Sequence, residues 1–268
     1  MNMNNAVTLG TALITGASSG IGAIYADRLA RRGYDLVLVA RHEARLNEVA
    51  TRVREQTGRE VKTVVADLLN AADLHRVEAL IRNDAGLTML VNNAGVGSAA
   101  PLLQADVDAM EAMIDLNVTA LTRLTYAIAP AFVARGAGTI INISSGVAIA
   151  PEFLNGVYGA TKAYVLALSQ SLKHELGDKG VRIQAVLPGA TRTEFWDVAG
   201  APVDNFPAEM VMSVEDLVDA ALAGLDQGEF ATVPSLPTVD GWNAFEAARG
   251  ALVPQLSLSK PGARYNVN

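Results

Sequence analysis

The chain has 268 residues, half of them hydrophobic, a net charge of −7 and no cysteine. The hydrophobic content suffices for a large core, and the lack of cysteine excludes disulfides and thiolate metal sites. The acidic balance disfavours nucleic acid and anionic membranes as partners. Met1–Gly10 lacks a basic segment and a long apolar run, and no stretch reaches the ~18 apolar residues of a membrane span. We therefore expect a cytoplasmic protein without a signal peptide or a membrane partner.

Short apolar runs alternate with longer amphipathic stretches along most of the chain, and continuous runs of this kind are typical of parallel strands covered on both faces. We predict strands over Thr11–Thr15, Asp35–Ala40, Val61–Ala66, Thr88–Val91, Thr139–Ile143, Val181–Leu187 and Phe230–Val233. We predict helices over Gly20–Arg32, Glu43–Thr57, Ala72–Asp84, Asp106–Arg135, Tyr158–Leu176 and Ser213–Leu225. This order predicts an α/β fold, a single-domain doubly wound Rossmann-like sheet of about seven parallel strands.

The alternation weakens in residues 188–212, which hold three prolines and two glycines without a period. A long irregular segment inside a compact domain is more often functional than idle. We predict that it forms a substrate lid within one catalytic domain, residues 1–268. Candidate substrate contacts are the apolar residues of this segment and of the neighbouring loops, although ordinary packing would explain them equally well: Val96, Val147, Phe153, Phe195, Trp196 and Phe206.

A glycine-rich segment, Thr15–Gly22, lies between the first predicted strand and the first predicted helix. Glycine allows the backbone to approach a pyrophosphate, and a helix N-terminus favours its negative charge. The spacing G-x-x-x-G-x-G differs from the dinucleotide fingerprint G-x-G-x-x-G, so only its position separates it from a plain turn. The predicted cofactor contacts in this segment are Gly16, Ser18, Ser19, Gly20, Ile21 and Gly22.

Tyr158 and Lys162 are four residues apart on a predicted helix, so both side chains share one face. A nearby cation favours the phenolate and lowers the tyrosine pKa. That pKa must fall by about three pH units for the phenol to act as a general acid or base near neutral pH. A tyrosine and a lysine on a solvent-exposed helix face without a catalytic role would show the same spacing.

Ser145 follows the fifth predicted strand, and Asn92–Gly95 closes the fourth. Ligands of an open α/β sheet bind at these carboxyl ends of the strands.

Together these motifs resemble the short-chain dehydrogenases/reductases in order and spacing, over roughly Val7 to Phe195. The resemblance implies that Tyr158 is the general acid/base and that Ser145 orients the substrate oxygen. It implies that Lys162 holds the nicotinamide ribose and lowers the Tyr158 pKa, and that Asn117 anchors a proton-relay water. It further implies cofactor contacts from Asp67, Leu68, Asn93, Ala94, Gly95, Pro188, Gly189 and Thr193.

The residues at the end of the second predicted strand indicate which nicotinamide cofactor the site prefers. An NAD site needs an acidic residue about 20 residues past the glycines, to bind the ribose 2′-hydroxyl. Here Ala40 replaces the acid, and Arg41 offers a guanidinium to a 2′-phosphate, although a solvated arginine would look the same. We predict NADP(H) over NAD(H). The histidines share no metal-ligand spacing, so we expect no metal.

The sequence thus predicts hydride transfer between NADP(H) and a hydrophobic carbonyl/alcohol substrate, in a homodimer or homotetramer built on the long helices, as is usual in this family. A 3-oxoacyl-thioester reductase of lipid synthesis stays open, with Arg192 the one basic lid residue that could face a carrier. A non-catalytic NADP(H) sensor or scaffold also stays open, although it would not need Ser145, Tyr158 and Lys162 together. A nucleotide-sugar epimerase shares Tyr-x-x-x-Lys but differs in its glycine spacing.

Overall fold

The computed structural model describes residues 9–267, so most of Met1–Gly10, where we expect no signal peptide, lies outside the described residues. The chain divides into two compact units, one ending at Pro234 and one beginning at Ser235. The elements that carry the predicted site all belong to the first unit. That residues 1–268 act as one catalytic domain stays a prediction.

The first unit contains a seven-stranded sheet in which every neighbouring pair of strands is parallel. The strand order is β3-β2-β1-β4-β5-β6-β7. The strands are β1 (Thr11–Thr15), β2 (Asp35–Ala40), β3 (Val61–Val65), β4 (Leu87–Asn92), β5 (Gly138–Ile143), β6 (Val181–Val186) and β7 (Ala231–Thr232). The predicted doubly wound α/β fold is confirmed. The last strand is shorter than predicted, because only two of its residues pair with β6.

Helices connect the strands and cover the sheet on both faces. In the first unit they are α1 (Gly20–Arg31), α2 (Glu43–Thr57), α3 (Ala71–Asn83), α4 (Val107–Ile114), α5 (Leu121–Arg135), α6 (Gly156–Leu176), α7 (Phe195–Ala199) and α8 (Val214–Gln227). The helical tract predicted over Asp106–Arg135 is helical from Val107 onward, but it contains a π-helical turn at Asp115–Ala120, between α4 and α5, that we did not predict. The helix predicted from Tyr158 begins at Gly156, because the Asn155 side chain accepts hydrogen bonds from the first-turn amides.

Two hydrophobic layers lie on opposite faces of the sheet. Successive residues of β1 point to opposite faces, so Ile14 packs in the layer formed with α1, α2 and α8. Leu13 packs in the other layer, with α3, α5 and the second half of α6. Because helices cover both faces, all strands except the outer strand β3 are mostly buried, and most of their residues are apolar, which explains the apolar runs in the sequence.

The second unit, from Ser235 onward, contains α9 (Asp240–Leu252), an element that we did not predict. In it the rings of Trp242 and Phe245 lie 5.4 Å apart, between centroids, and Arg249 pairs with Glu246 at 2.7 Å. No helix between residues 9 and 267 is long and apolar enough to cross a membrane. Within the same residues, no three His, Asp or Glu side chains converge as a metal-binding group.

Candidate active site

The carboxyl ends of β1 and β4 form the crevice of the sheet. These strands are neighbours, and the chain runs outward from β1 to β2 and β3 in one direction and from β4 to β5 in the other. Reversal of the strand order opens a cleft between the loops that follow the two strands, and ligands of doubly wound sheets bind there. The glycine-rich segment follows β1, and Asn93–Gly95 follows β4. The fold therefore brings these two predicted segments to one place.

Asn93 fastens the glycine-rich loop to the end of β4. Its side-chain amide donates to the carbonyls of Thr15 and Gly16, at 2.9 and 3.2 Å. The Thr15 hydroxyl accepts from the amides of Asn93 and Ala94, both at 3.0 Å. Side chains would not fit in this junction, because a Cβ on Gly22 would lie 2.4 Å from the Gly16 carbonyl oxygen. Gly16 is equally restricted, because a Cβ there would lie 2.9 Å from the Ala94 Cα.

The start of α1 fits the pyrophosphate of a dinucleotide. Gly20 has a φ of +51°, which brings the chain tightly into the helix. The Ser19 side chain makes no capping hydrogen bond, so the first-turn amides are left for another acceptor. A Cβ on Gly20 would meet the Thr193 methyl group at 3.4 Å. Thr193, predicted beside the carboxamide, therefore lies across the groove from the glycine loop.

The predicted adenosine end of this groove is formed by the residues after β2 and β3. Arg41 is exposed, and among the described residues no hydrogen bond or ion pair engages its side chain. Asp67 is half-buried, and its carboxylate accepts a hydrogen bond from the Leu69 amide at 3.0 Å, which also gives it a role in the turn. Leu68 is buried in the core layer of α3.

Asn117 connects the β4 loop, the π turn and α6. Its side-chain oxygen accepts from the Val96 amide at 3.0 Å, and its side-chain nitrogen donates to the Val96 carbonyl at 2.8 Å and to the Thr161 hydroxyl at 3.1 Å. Both hydrogens of the side-chain amide are therefore used within the protein. If Asn117 anchors a water, as predicted, the water must therefore donate a hydrogen bond to an oxygen of this residue. A Cβ on Gly95 would lie only 3.0 Å from the Asn117 side-chain oxygen.

Ser145, Tyr158 and Lys162 converge beside these loops. The Ser145 hydroxyl donates to the Pro188 carbonyl at 3.3 Å and accepts from the Val147 amide at the same distance. Tyr158 is buried on the first turns of α6, and the Ser145 side chain is near enough to its phenol to lower the pKa of that group. The Lys162 ammonium is also buried and donates to the Ile143 carbonyl at 3.0 Å. Its nitrogen lies 5.8 Å from the centre of the Tyr158 ring.

Burial sets the protonation of both groups. It raises the pKa of Tyr158 to about 12, with the Ser145 hydrogen bond opposing the rise, and it lowers the pKa of Lys162 to about 8. In this structure burial outweighs any lowering of the Tyr158 pKa by Lys162, which stays a prediction. The physical reason is that removal of both groups from water disfavours the phenolate and the ammonium alike. At neutral pH the phenol holds its proton.

A buried amide network, missed in the sequence, supports the ends of β4 and β5. The Asn92 side chain donates to Asn142 at 2.9 Å and to Thr125 at 3.0 Å, and Asn142 donates to Ser169 at 2.9 Å. These groups link two strands to α5 and α6, the helix that carries Tyr158. Polar residues inside otherwise apolar strands were the available signal, because a buried amide needs partners.

An apolar wall faces Tyr158. Met113 and Val147 form a small buried cluster with it, and partly buried residues pack around this cluster: Val96, Met110, Leu154, Val157 and Phe195. The Phe195 ring lies 5.5 Å from the Tyr158 ring, between centroids. Of these residues, Met110, Met113, Leu154 and Val157 were not predicted. The two methionines, three positions apart on one predicted helix, were the signal that could have found them.

The remaining predicted substrate residues divide into two groups. Trp196 packs against Phe195 and Phe206, at centroid distances of 5.3 and 4.7 Å, and its indole nitrogen donates to the Thr191 carbonyl at 2.8 Å. These aromatic side chains stabilise the segment 188–212 from within. Phe153 is 77% exposed and lies outside the cluster around Tyr158. The structure therefore does not bring Phe153 together with the other candidates.

The comparison with known families agrees with this geometry. Residues 10–202 match the short chain dehydrogenase family, and the chain belongs to that family. It is accordingly an oxidoreductase that interconverts alcohol and carbonyl groups with a nicotinamide cofactor. An uncharacterized oxidoreductase of Staphylococcus saprophyticus is 33% identical over 81% of this chain and 91% of the relative. A very-long-chain 3-oxoacyl-CoA reductase of Danio rerio is 35% identical over 76% of this chain and 67% of the relative.

Solved structures show the same resemblance at higher identity. A short-chain dehydrogenase from Sphingobium yanoikuyae, in complex with NADPH, is 50% identical with a TM-score of 0.92, over 96% of this chain and 100% of that one. A bulky-bulky ketone specific alcohol dehydrogenase from Comamonas testosteroni is 45% identical with a TM-score of 0.89, over 97% and 99% of the two chains. The resemblance thus covers nearly the whole chain.

Proposed function

We propose that this enzyme reduces hydrophobic ketones or aldehydes with NADPH, and that Ser145, Tyr158, Lys162 and Asn117 form its catalytic set. The observation that carries the proposal is the convergence of the Ser145 hydroxyl and the buried Tyr158 phenol beside the glycine-rich groove. The cofactor would be held by the glycine loop, Asn93–Gly95, Arg41 and Thr193. When bound, it supplies the hydride that is added to the carbonyl carbon.

The side chains provide the proton and the charge stabilisation. Tyr158, protonated at neutral pH because burial raises its pKa, gives its proton to the carbonyl oxygen as the carbon is reduced. Ser145 donates a hydrogen bond that strengthens as negative charge develops on that oxygen. Its present bond to Pro188, at 3.3 Å, is long and easily exchanged for a substrate. The Lys162 ammonium lies on the same helix face and favours the phenolate that remains.

The substrate class follows from the wall around Tyr158. Methionine, leucine, valine and phenylalanine side chains surround the phenol, so apolar groups beside the carbonyl find apolar partners. Methionine adapts its shape and tolerates varied substituents. The similarity to the bulky-bulky ketone specific alcohol dehydrogenase of Comamonas testosteroni supports a carbonyl with large groups on both sides.

A 3-oxoacyl thioester is the competing substrate, supported by the identity to the acyl-CoA reductases. Docking of an acidic carrier would need free cations beside the lid. Arg192 was the candidate, and its guanidinium pairs with Asp204 at 2.8 Å. This favours a small-molecule ketone over a carrier-bound substrate. A panel that contains diaryl ketones, alkyl ketones and 3-oxoacyl-CoA esters separates the two classes, with absorbance of reduced nicotinamide as the readout.

Tyr158→Phe tests the mechanism on the best substrate of that panel. The change removes only the hydroxyl, so kcat should fall about 10²–10⁴-fold, the usual contribution of general acid catalysis. NADPH binding and thermal stability should stay close to those of the wild type, because the ring still packs against Phe195. A variant that keeps most of its kcat while hydride transfer limits the rate would contradict the catalytic assignment, and would favour the sensor alternative.

We further propose a homodimer or homotetramer, in which α4, α5 and α6 form the contact between subunits. Their outer faces carry exposed apolar side chains, among them Val107 and Tyr126, at 75% and 69% exposure. Large exposed apolar side chains on neighbouring helices suit a self-complementary interface.

A further inference from the structure

An ion pair joins α2 to the segment that precedes α7. The Arg45 guanidinium lies 2.6 Å from the Glu194 carboxylate, and both side chains are more than half exposed. Among the ion pairs of residues 9–267, this pair alone connects α2 with the segment 188–212. Two distant parts of the chain thus meet through one positive and one negative charge.

The pair lies at the rim of the dinucleotide groove. Glu194 follows Thr193, whose methyl group would contact a Cβ on Gly20 of the glycine loop. Arg45 is in the first turn of α2, directly after Arg41 and the N-cap His42. Side chains in a first helical turn lean toward the helix N-terminus, so Arg45 leans toward the end of β2. A 2′-phosphate that reaches Arg41 would therefore come close to both charges.

The segment that carries Glu194 is held in place without this pair. The Arg192 amide donates to the Met212 carbonyl at 3.0 Å, the Met212 amide donates to the Ala190 carbonyl at 2.9 Å, and the Trp196 indole donates to the Thr191 carbonyl. An exposed ion pair contributes little to folding stability. The main effect of the pair is therefore electrostatic, because it determines the net charge at the rim of the dinucleotide groove.

We propose that Arg45 and Glu194 together set the preference between NADPH and NADH. This inference rests on the proposed use of NADP(H). Arg45 acts as a second cation for the 2′-phosphate, beside Arg41. Glu194 opposes it in two ways, because its carboxylate neutralises Arg45 and repels the phosphate. Arg45 therefore strengthens NADPH binding and Glu194 weakens it. Neither residue affects the binding of NADH much, because NADH lacks the phosphate.

The test is direct titration of each cofactor, without substrate, followed by the fluorescence of reduced nicotinamide. Arg45→Ala should weaken NADPH binding by about fivefold, and Glu194→Gln should tighten it by about threefold, while NADH changes by less than about twofold in both. The NADPH affinity of Arg45→Ala should also depend less on salt. The matched control is Asp226→Asn, which removes one carboxylate from an exposed pair with Arg32 on a different part of the surface. It should leave the ratio of the two affinities unchanged.

Three results would overturn the inference. A Glu194→Gln protein that binds both cofactors more weakly would show that the ion pair maintains the structure of the groove and does not select the cofactor. An unchanged ratio in Glu194→Gln, with selective loss of NADPH affinity in Arg41→Ala, would reject this pair and leave the proposed function standing. A wild-type protein that binds NADH more tightly than NADPH would reject both together.

Discussion

Burial of the Lys162 ammonium makes the stability of the folded chain depend on pH. Burial lowers the pKa of this ammonium to about 8 in the folded chain, whereas an unfolded chain has the ordinary value of about 10.4. Between these values the unfolded state binds a proton that the folded state lacks, so the free energy of unfolding rises with pH through this window. Below about 8 the folded chain bears the full cost of burying the ammonium.

Comparison with Lys162→Met isolates this effect. The methionine does not ionise, so any advantage of the variant in the free energy of unfolding should shrink as pH rises from about 8 to about 10.4. Urea denaturation at several pH values and constant ionic strength measures the difference. A difference that is constant across the window would mean that Lys162 stays charged in the folded protein.

Arg41 is the residue on which the cofactor preference depends most. Its side chain is exposed and, within the described part of the chain, engaged by no other group, so it is available for a 2′-phosphate. Arg41→Ala should raise the KM for NADPH about tenfold or more, because a charge-assisted hydrogen bond is lost, and should leave the KM for NADH within about twofold. Steady-state kinetics with both cofactors is the measurement. Equal effects on both would remove the argument for NADPH.

At the scale of elements, α7 docks on the loop after β4. The Ala99 amide donates to the Ala199 carbonyl at 2.8 Å, and Gly97 leaves room for the Phe195 ring. A Cβ on Gly97 would lie 2.2 Å from the tip of that ring. The missing side chain thus allows Phe195 to reach Tyr158.

Gly97→Ala should therefore displace Phe195 and destabilise the protein by roughly 1–3 kcal/mol, the usual cost of overpacking. The double variant Gly97→Ala/Phe195→Leu should recover much of that loss, because the shorter side chain makes room for the methyl group. Gly156→Ala is the control, since a Cβ there meets nothing within 4 Å. Chemical denaturation measures all of these variants. If the single variant were as stable as the wild type, Phe195 would be free to move aside.

At the scale of the whole molecule, the question is self-association. Thr122 and Tyr164 share a hydrogen bond at 2.9 Å, which joins α5 to α6 and lets both helices present one surface. We expect light scattering to give twice or four times the mass of one chain, 28.1 kDa. Tyr126→Glu should shift the mass toward the monomer, because a buried charge without a partner is costly. A wild-type monomer at micromolar concentration would refute the proposed assembly.

The sequence by itself determined the order and type of most elements, and with them the family. Apolar runs, helix caps and glycine positions are local properties, since each depends on a few neighbouring residues. The π turn within Asp106–Arg135 escaped prediction, because apolar periodicity over a helical tract does not distinguish α from π hydrogen bonding. The short helix α7 escaped it as well, since its packing against the β4 loop involves residues far away in the chain.

Only the tertiary structure decided the electrostatics and the shape of the site. The spacing of Tyr158 and Lys162 indicates a shared helix face, but their pKa values depend on burial by distant segments. Arg45 and Glu194 are 149 positions apart, and no local pattern pairs them. The fit of Phe195 over Gly97 likewise depends on where two loops meet. Residue types and spacings are thus readable from the chain, whereas desolvation, charge pairing and steric fit arise only when remote segments pack together.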